Sequence, residues 1–142
     1  MKNTFLYIVF LITIFLFLSS CDLSSPSDVD KTQIKNIFDE IKTGFNFNDL
    51  NKIMSQYHPD FIHNSNDWDD EEIIWQIRLN DFDSFDFSAL EFDFSGDFAT
   101  VSFTMQLGDE TSSEPSVEYG DLSYFYKSFD GWMICGNEFS EF

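Results

Sequence analysis

Asp60 and His63, three residues apart, are the two side chains best suited to acid–base chemistry: a carboxylate beside an imidazole that titrates near neutrality. Spacing alone does not orient them. The competing expectation has Asp60 satisfying backbone donors at a helix–strand junction and His63 facing solvent. That second arrangement is the expected one, and with it catalysis is not expected. His58 precedes Pro59, where an imidazole can bond the last carbonyls of a helix. With only two histidines in the chain, no metal centre is expected. Cys135 stands between Ile134 and Gly136 as a small buried hydrophobe. Tyr57, Trp75, Tyr119, Tyr124 and Tyr126 are the candidates for lining a ligand pocket, with plain core packing as their competing role. The acids from Asp67 to Glu72 fit a helix start, whose dipole favours carboxylates. They lack the EF-hand spacing and its glycine, so calcium is not expected. No Ser-His-Asp set or Gly-rich phosphate loop is present, and no cofactor is called for.

The remaining reactive residue is Cys21. Phe5 to Leu18 is a run of fourteen residues in which only Thr13 is polar, preceded by Lys2. A bilayer-spanning helix takes roughly 20 apolar residues, so the run has the length of a signal-peptide core. Leu18-Ser19-Ser20-Cys21 closes it and resembles a lipobox: an aliphatic residue, two small residues, then the cysteine whose sulfur receives diacylglycerol. The expected organisation is a lipoprotein signal peptide over 1–20, a tether over 21–29 and one domain over 30–142. The expected location is the cell envelope, lipid-anchored on the extracytoplasmic side of a membrane, with inner or outer membrane left open.

After cleavage 6 basic and 26 acidic side chains remain, a net charge of −20. Nucleic-acid binding relies on clustered Lys and Arg, and this composition excludes it. It equally offers no polybasic patch to an anionic membrane. A small apolar ligand or a basic protein partner are the occupants left open. Fifteen phenylalanines and three tryptophans survive cleavage, ample for a packed core. With Cys21 acylated, Cys135 has no disulfide partner.

Periodicity places the elements. Ile34, Ile37, Phe38, Ile41 and Phe45 recur at helical steps, with Asp28 or Asp30 as cap and Gly44 and Asn46 as the end. A short helix capped by Asn48 carries Leu50, Ile53, Met54 and Tyr57 as far as Pro59. Asp60 to His63 reads as a short strand, and a third helix runs through Ile73, Ile74 and Ile77 to about Asn80. From Phe85 the period becomes two, with a bulge predicted near Phe87–Leu90. Strands follow over 99–107, 119–129 and 132–139, with 108–116 as a polar loop. Helices before an antiparallel meander make an α+β domain.

Three stretches resemble the framework motifs of the NTF2-like superfamily, which includes SnoaL-like proteins. They are Asn48-Asp49-Leu50 through Tyr57-His58-Pro59-Asp60-Phe61, the Gly96–Val101 hairpin, and Tyr124-Phe125-Tyr126-Lys127 through Asp130-Gly131-Trp132-Met133-Ile134. The resemblance implies a cone, with three N-terminal helices packed on a curved antiparallel sheet over a pocket often lined by aromatics. It makes Trp132 a core residue. It does not carry steroid-isomerase chemistry over, because the positions of that base and oxyanion donor fall on Ser65 and Ile41. An isomerase, cyclase or dehydratase would be left with Asp60 and His63. An acidic inhibitor or immunity-type protein is the other alternative.

Overall fold

A computed structural model describes residues 26–140. Cys21, the signal peptide and the first part of the tether lie outside the described residues.

Helix α1 spans Pro26–Asn46, so the last residues read as tether are helical. Proline suits a first helical turn, where its missing N–H has no acceptor to lose. Ile34, Ile37, Phe38, Ile41 and Phe45 form one buried stripe, as expected. Gly44 lies within the helix, which ends at Asn46 as expected; a Cβ at Gly44 would stand 2.7 Å from Ile53 Cγ1, so the close approach of α1 to the next helix needs glycine there. The chain turns instead at Asn48, whose φ of 54° is left-handed. Helix α2 covers only Leu50–Met54, and its cap is Asp49 rather than Asn48: the Asp49 carboxylate accepts from Lys52 N–H at 3.0 Å. Helix α3 covers Trp68–Asp81 behind an Asp67–Asp70 capping box. That box accounts for part of the acid cluster without a ligand.

The five strands are β1 Phe85–Ser95, β2 Phe98–Leu107, β3 Glu110–Glu114, β4 Tyr124–Ser128 and β5 Gly131–Ile134. β1 pairs with β2 through a tight turn containing Gly96 and Asp97, and their register shifts between Ser88 and Glu91. Ala89 sits at a φ of 55° there, so the bulge falls where alternation breaks in the sequence. The other edge of β2 is shared: β3 pairs with its second half and β4 with its first. β5 then pairs with β4. The result is an α+β cone in which the helices lie on a curved antiparallel sheet.

Three expectations change. The segment 108–116 contains β3, because its Thr and Ser side chains suit a short edge strand as well as a loop. Gly120–Ser123 is a 3₁₀ turn, so the strand expected from Tyr119 begins at Tyr124. Asp60 to His63 is irregular chain rather than strand. Residues 135–138 run beside it, with Ile62 N–H donating to Cys135 O and Glu138 N–H to Ile62 O, both at 3.1 Å.

The core fills the space between α1 and the sheet. Val101, Phe103, Met105 and Leu107 alternate inward along β2. Phe38 packs against Phe87, Phe103 and Phe125 at centroid distances of 5.0, 4.9 and 5.8 Å. Phe61, Phe125, Ile34, Ile41 and Ile134 are almost fully buried with it.

Candidate functional site

The densest polar chemistry lies inside the protein, between α3 and the 3₁₀ turn. Glu71, Trp75 and Arg78 occur at i, i+4 and i+7 and share the inner face of α3. Arg78 meets Asp121 in a two-point pair, Nη1 to Oδ2 at 2.9 Å and Nη2 to Oδ1 at 3.0 Å. Trp75 Nε1–H donates to Tyr57 Oη at 2.6 Å. The Tyr57 hydroxyl lies 3.3 Å from Glu71 Oε1 and 3.4 Å from Asp121 Oδ2. The guanidinium stacks over Trp75, 4.7 Å from its centroid, with Tyr119 at 5.5 Å. All five residues of this network are buried, the least so being Arg78 at 6%.

Two buried carboxyls facing one guanidinium cannot both stay ionised. Burial, then the charge of Asp121, pushes Glu71 up to about 10, so it is protonated at neutral pH. Burial also works against an ionised Asp121, but the charge and hydrogen bonds of Arg78 outweigh it and hold that carboxyl below its usual range. Burial raises the Tyr57 hydroxyl well above its ordinary value. At neutral pH the cluster thus holds a negative charge on Asp121, a positive charge on Arg78 and a protonated Glu71.

The expected site residues scatter around this network. Tyr57 and Trp75 belong to it and are buried in the core. Tyr119 covers Arg78 and donates to Glu110 Oε2 at 3.1 Å; burial and that bond push its hydroxyl up to about 12. Tyr124 lines a surface depression with His63, Asn64, Val117 and Asn137. Tyr126 faces outward beside Phe98, His58 and Phe139.

Asp60 and His63 are not a pair. Asp60 exposes its carboxylate, and its backbone N–H donates to His58 Nδ1 at 3.1 Å. His58 therefore caps this turn rather than the preceding helix. His63 was expected in solvent but is only 6% exposed. The crossing segment 135–138 covers it, and the ring lies against Phe61, Tyr124 and Gly120. Burial lowers its pKa, keeping the ring neutral near neutrality. Ser65 donates its N–H to Glu138 at 3.1 Å, and Ile41 is fully buried. Cys135 is buried, which pushes its thiol up to about 12 and keeps it unreactive. Among the described residues no three His, Cys, Asp or Glu side chains converge as metal ligands.

Sequence reasoning missed Glu71, Arg78 and Asp121. The available signal was the i, i+4, i+7 spacing of Glu71, Trp75 and Arg78, which sets a tryptophan and two opposite charges on one helix face.

Solved structures now place the architecture. An NTF2-like protein of unknown function from Shewanella oneidensis aligns with a TM-score of 0.52 and 18% identity, over 75% of this chain and 94% of that one. A Streptomyces avermitilis protein of the NTF2-like family, provisionally assigned as a dehydratase, aligns at 0.53 and 13%, over 77% and 93%. The fold is NTF2-like. A third NTF2-like protein of unknown function, from Pseudomonas putida, aligns at 0.54 and 11%, over 78% and 84%. No protein-family model matches the chain, and no curated protein matches it either. Identities this low speak for the fold alone. Within that fold, the polar groups of Tyr57, Glu71, Trp75, Arg78 and Asp121 are turned on one another.

Proposed function

We propose that this chain is a lipid-tethered, non-catalytic NTF2-like domain that holds a basic protein partner on the extracytoplasmic side of a membrane. The observation that carries the reading is the closed network of Tyr57, Glu71, Trp75, Arg78 and Asp121. Its donors and acceptors are spent on each other, and aliphatic and aromatic side chains pack around it. Recognition then falls to the surface, where the chain's excess of acids, 26 against 7 basic side chains in all with most of the acids outside the core, favours a basic protein over a small apolar ligand. The Leu18-Ser19-Ser20-Cys21 sequence supports the tether.

Two measurements on one preparation test this. Metabolic labelling with a fatty-acid analogue should mark the chain, and Cys21→Ser should abolish the label and leave uncleaved precursor. Native mass spectrometry of the chain extracted from membranes should show a basic protein that dissociates in about 0.5 M salt, where charges are screened beyond a few ångströms. A co-purifying small molecule and no protein would reverse the ligand class. Normal processing of the serine variant would remove the tether.

A second reading has one observation in its favour. Glu71 and Asp121 have pKa values driven apart, the arrangement that acid–base catalysis uses. A dehydratase or isomerase here would employ that pair rather than Asp60 and His63. Turnover of a hydroxylated cyclic substrate, lost in Glu71→Gln with folding intact, would bring this reading forward.

A further inference from the structure

Helix α3 buries two ionisable side chains and leaves two isoleucines in solvent. Its inner face carries Glu71, Trp75 and Arg78, whereas Ile73 and Ile77 stand 59% and 52% exposed on the opposite side. The helix expected through Ile73, Ile74 and Ile77 is present, with Ile74 half-buried and the other two turned to solvent. A helix packed on a core ordinarily buries its apolar stripe and wets its charges. Here the demand of Asp121 for a buried guanidinium, and the fit of Trp75 against Phe85 at 5.9 Å, fix the opposite rotation. Ile73 and Ile77 are one helical turn apart, so their side chains adjoin. Asp69, Asp70 and Asp81 are exposed around them. From Asp67 to Asp83 the only cation is Arg78, which is committed inside.

We infer that this outer face of α3 docks a basic amphipathic helix of a protein partner, its apolar side chains on Ile73 and Ile77 and its Lys or Arg on Asp69, Asp70 and Asp81. The inference rests on the partner-binding function proposed above and names the surface. Charge selects the occupant. A second copy would bring two acidic faces of a chain of net charge −19 together, and an anionic bilayer would be repelled likewise. A basic helix meets an apolar stripe and acidic flanks at once, the helix-on-groove mode of peptide recognition.

The test uses the lipidated full chain in phosphatidylcholine nanodiscs, with empty nanodiscs as the blank. The probes are a fluorescent Lys/Leu amphipathic helical peptide and a Lys/Ser peptide of equal charge. The Lys/Leu peptide is expected to bind about tenfold more tightly, since only it can bury the isoleucines. Ile73→Ser with Ile77→Ser should erase that difference while leaving the thermal midpoint nearly unchanged, as surface changes do. Asp69→Lys with Asp70→Lys should weaken both peptides. Equal affinity of the parent and the serine variant for Lys/Leu would overturn the α3 assignment and leave the acidic-surface function standing. Binding of neither peptide at low salt would overturn both. A dimer of the parent chain that the serine changes dissociate would give the face to a second copy instead.

Discussion

Arg78 reaches from the inner face of α3 to Asp121 in the turn before β4, closing both carboxylate oxygens at 2.9 and 3.0 Å. The pair joins two elements 43 residues apart in sequence. Asp121 has been stripped of water, so its charge depends on this partner. Arg78→Met should destabilise the domain by about 3–5 kcal/mol, the cost of leaving a buried charge unpaired. Adding Asp121→Leu should recover most of that loss, since a packed apolar pair often replaces a buried ion pair without penalty. Urea denaturation of both variants checks this. A single variant as stable as the parent would mean that water reaches Asp121.

Trp132 is buried in β5 behind the Gly131 turn, and its Nε1–H donates to Asp30 Oδ1 at 2.9 Å. Phe94 meets its ring edge-on at 5.6 Å. Lys127 bonds the same Asp30 oxygen at 2.8 Å, and these two donors hold the carboxyl below its usual range against the opposing effect of burial. Trp132→Ala should cost roughly 3–5 kcal/mol. Trp132→Phe keeps most of the volume and loses the bond, so it should cost about 1–2 kcal/mol. Denaturation midpoints that do not fall in this order would show that packing against Phe94 is not what holds the strand.

Two left-handed glycines separate backbone strain from close packing. Gly96 has a φ of 62° with nothing within 4 Å of the place a Cβ would occupy. Gly96→Ala should cost only the strain of that conformation, about 1–2 kcal/mol. Gly136 has a φ of 81°, and its Cβ would overlap the Ile62 carbonyl oxygen and come within 3.0 Å of His63 N. Gly136→Ala must therefore push away the strand-like crossing that buries His63. It should cost several times more than Gly96→Ala and expose the imidazole, which then titrates near its ordinary value by NMR. Equal costs at the two positions would mean that the crossing is loose.

The sheet was legible because alternation along β2 and the break near Ala89 are local signals, and each residue's face follows from its neighbours. The first helix was legible for the same reason at a period of 3.6. Helix α3 was not, because its sequence supports two faces with helical spacing. Ile73 and Ile77 make one, and Glu71, Trp75 and Arg78 make the other. Only Asp121, contributed by a turn 43 residues beyond Arg78, decides between them. Hydrophobicity alone picks the isoleucines. The candidate site was hidden likewise: Glu71 and Asp121 sit among 26 acids that otherwise serve solubility. His63 is buried by a segment more than 70 residues away.

Glu71 supplies the last prediction, a stability that changes with pH in a stated direction. Burial raises its folded-state pKa to about 10, against about 4.3 for the unfolded chain. A group with a raised pKa binds its proton more tightly when folded, so its contribution is complete below about pH 4.3 and declines as pH climbs toward 10. Asp121 works in the other direction at the acid end. Its lowered pKa stabilises the fold above about pH 3.9, a contribution lost on acidification. His63 adds to the acid-side loss, because burial lowers its pKa and protonation below about pH 6.5 favours the unfolded chain. The net charge of −19 produces self-repulsion at alkaline pH as well, so the parent curve alone does not isolate Glu71. Glu71→Gln does. Glutamine keeps the size and one donor of the protonated acid, so it should change stability little at pH 5. At pH 9 it should raise the denaturation midpoint above that of the parent, because the parent alone is drawn toward releasing a proton. The difference between the two proteins should grow by up to about 1.4 kcal/mol per pH unit, the limit for one proton. Parallel curves from pH 5 to 9 would mean that Glu71 is ionised throughout and that water enters beside Asp121.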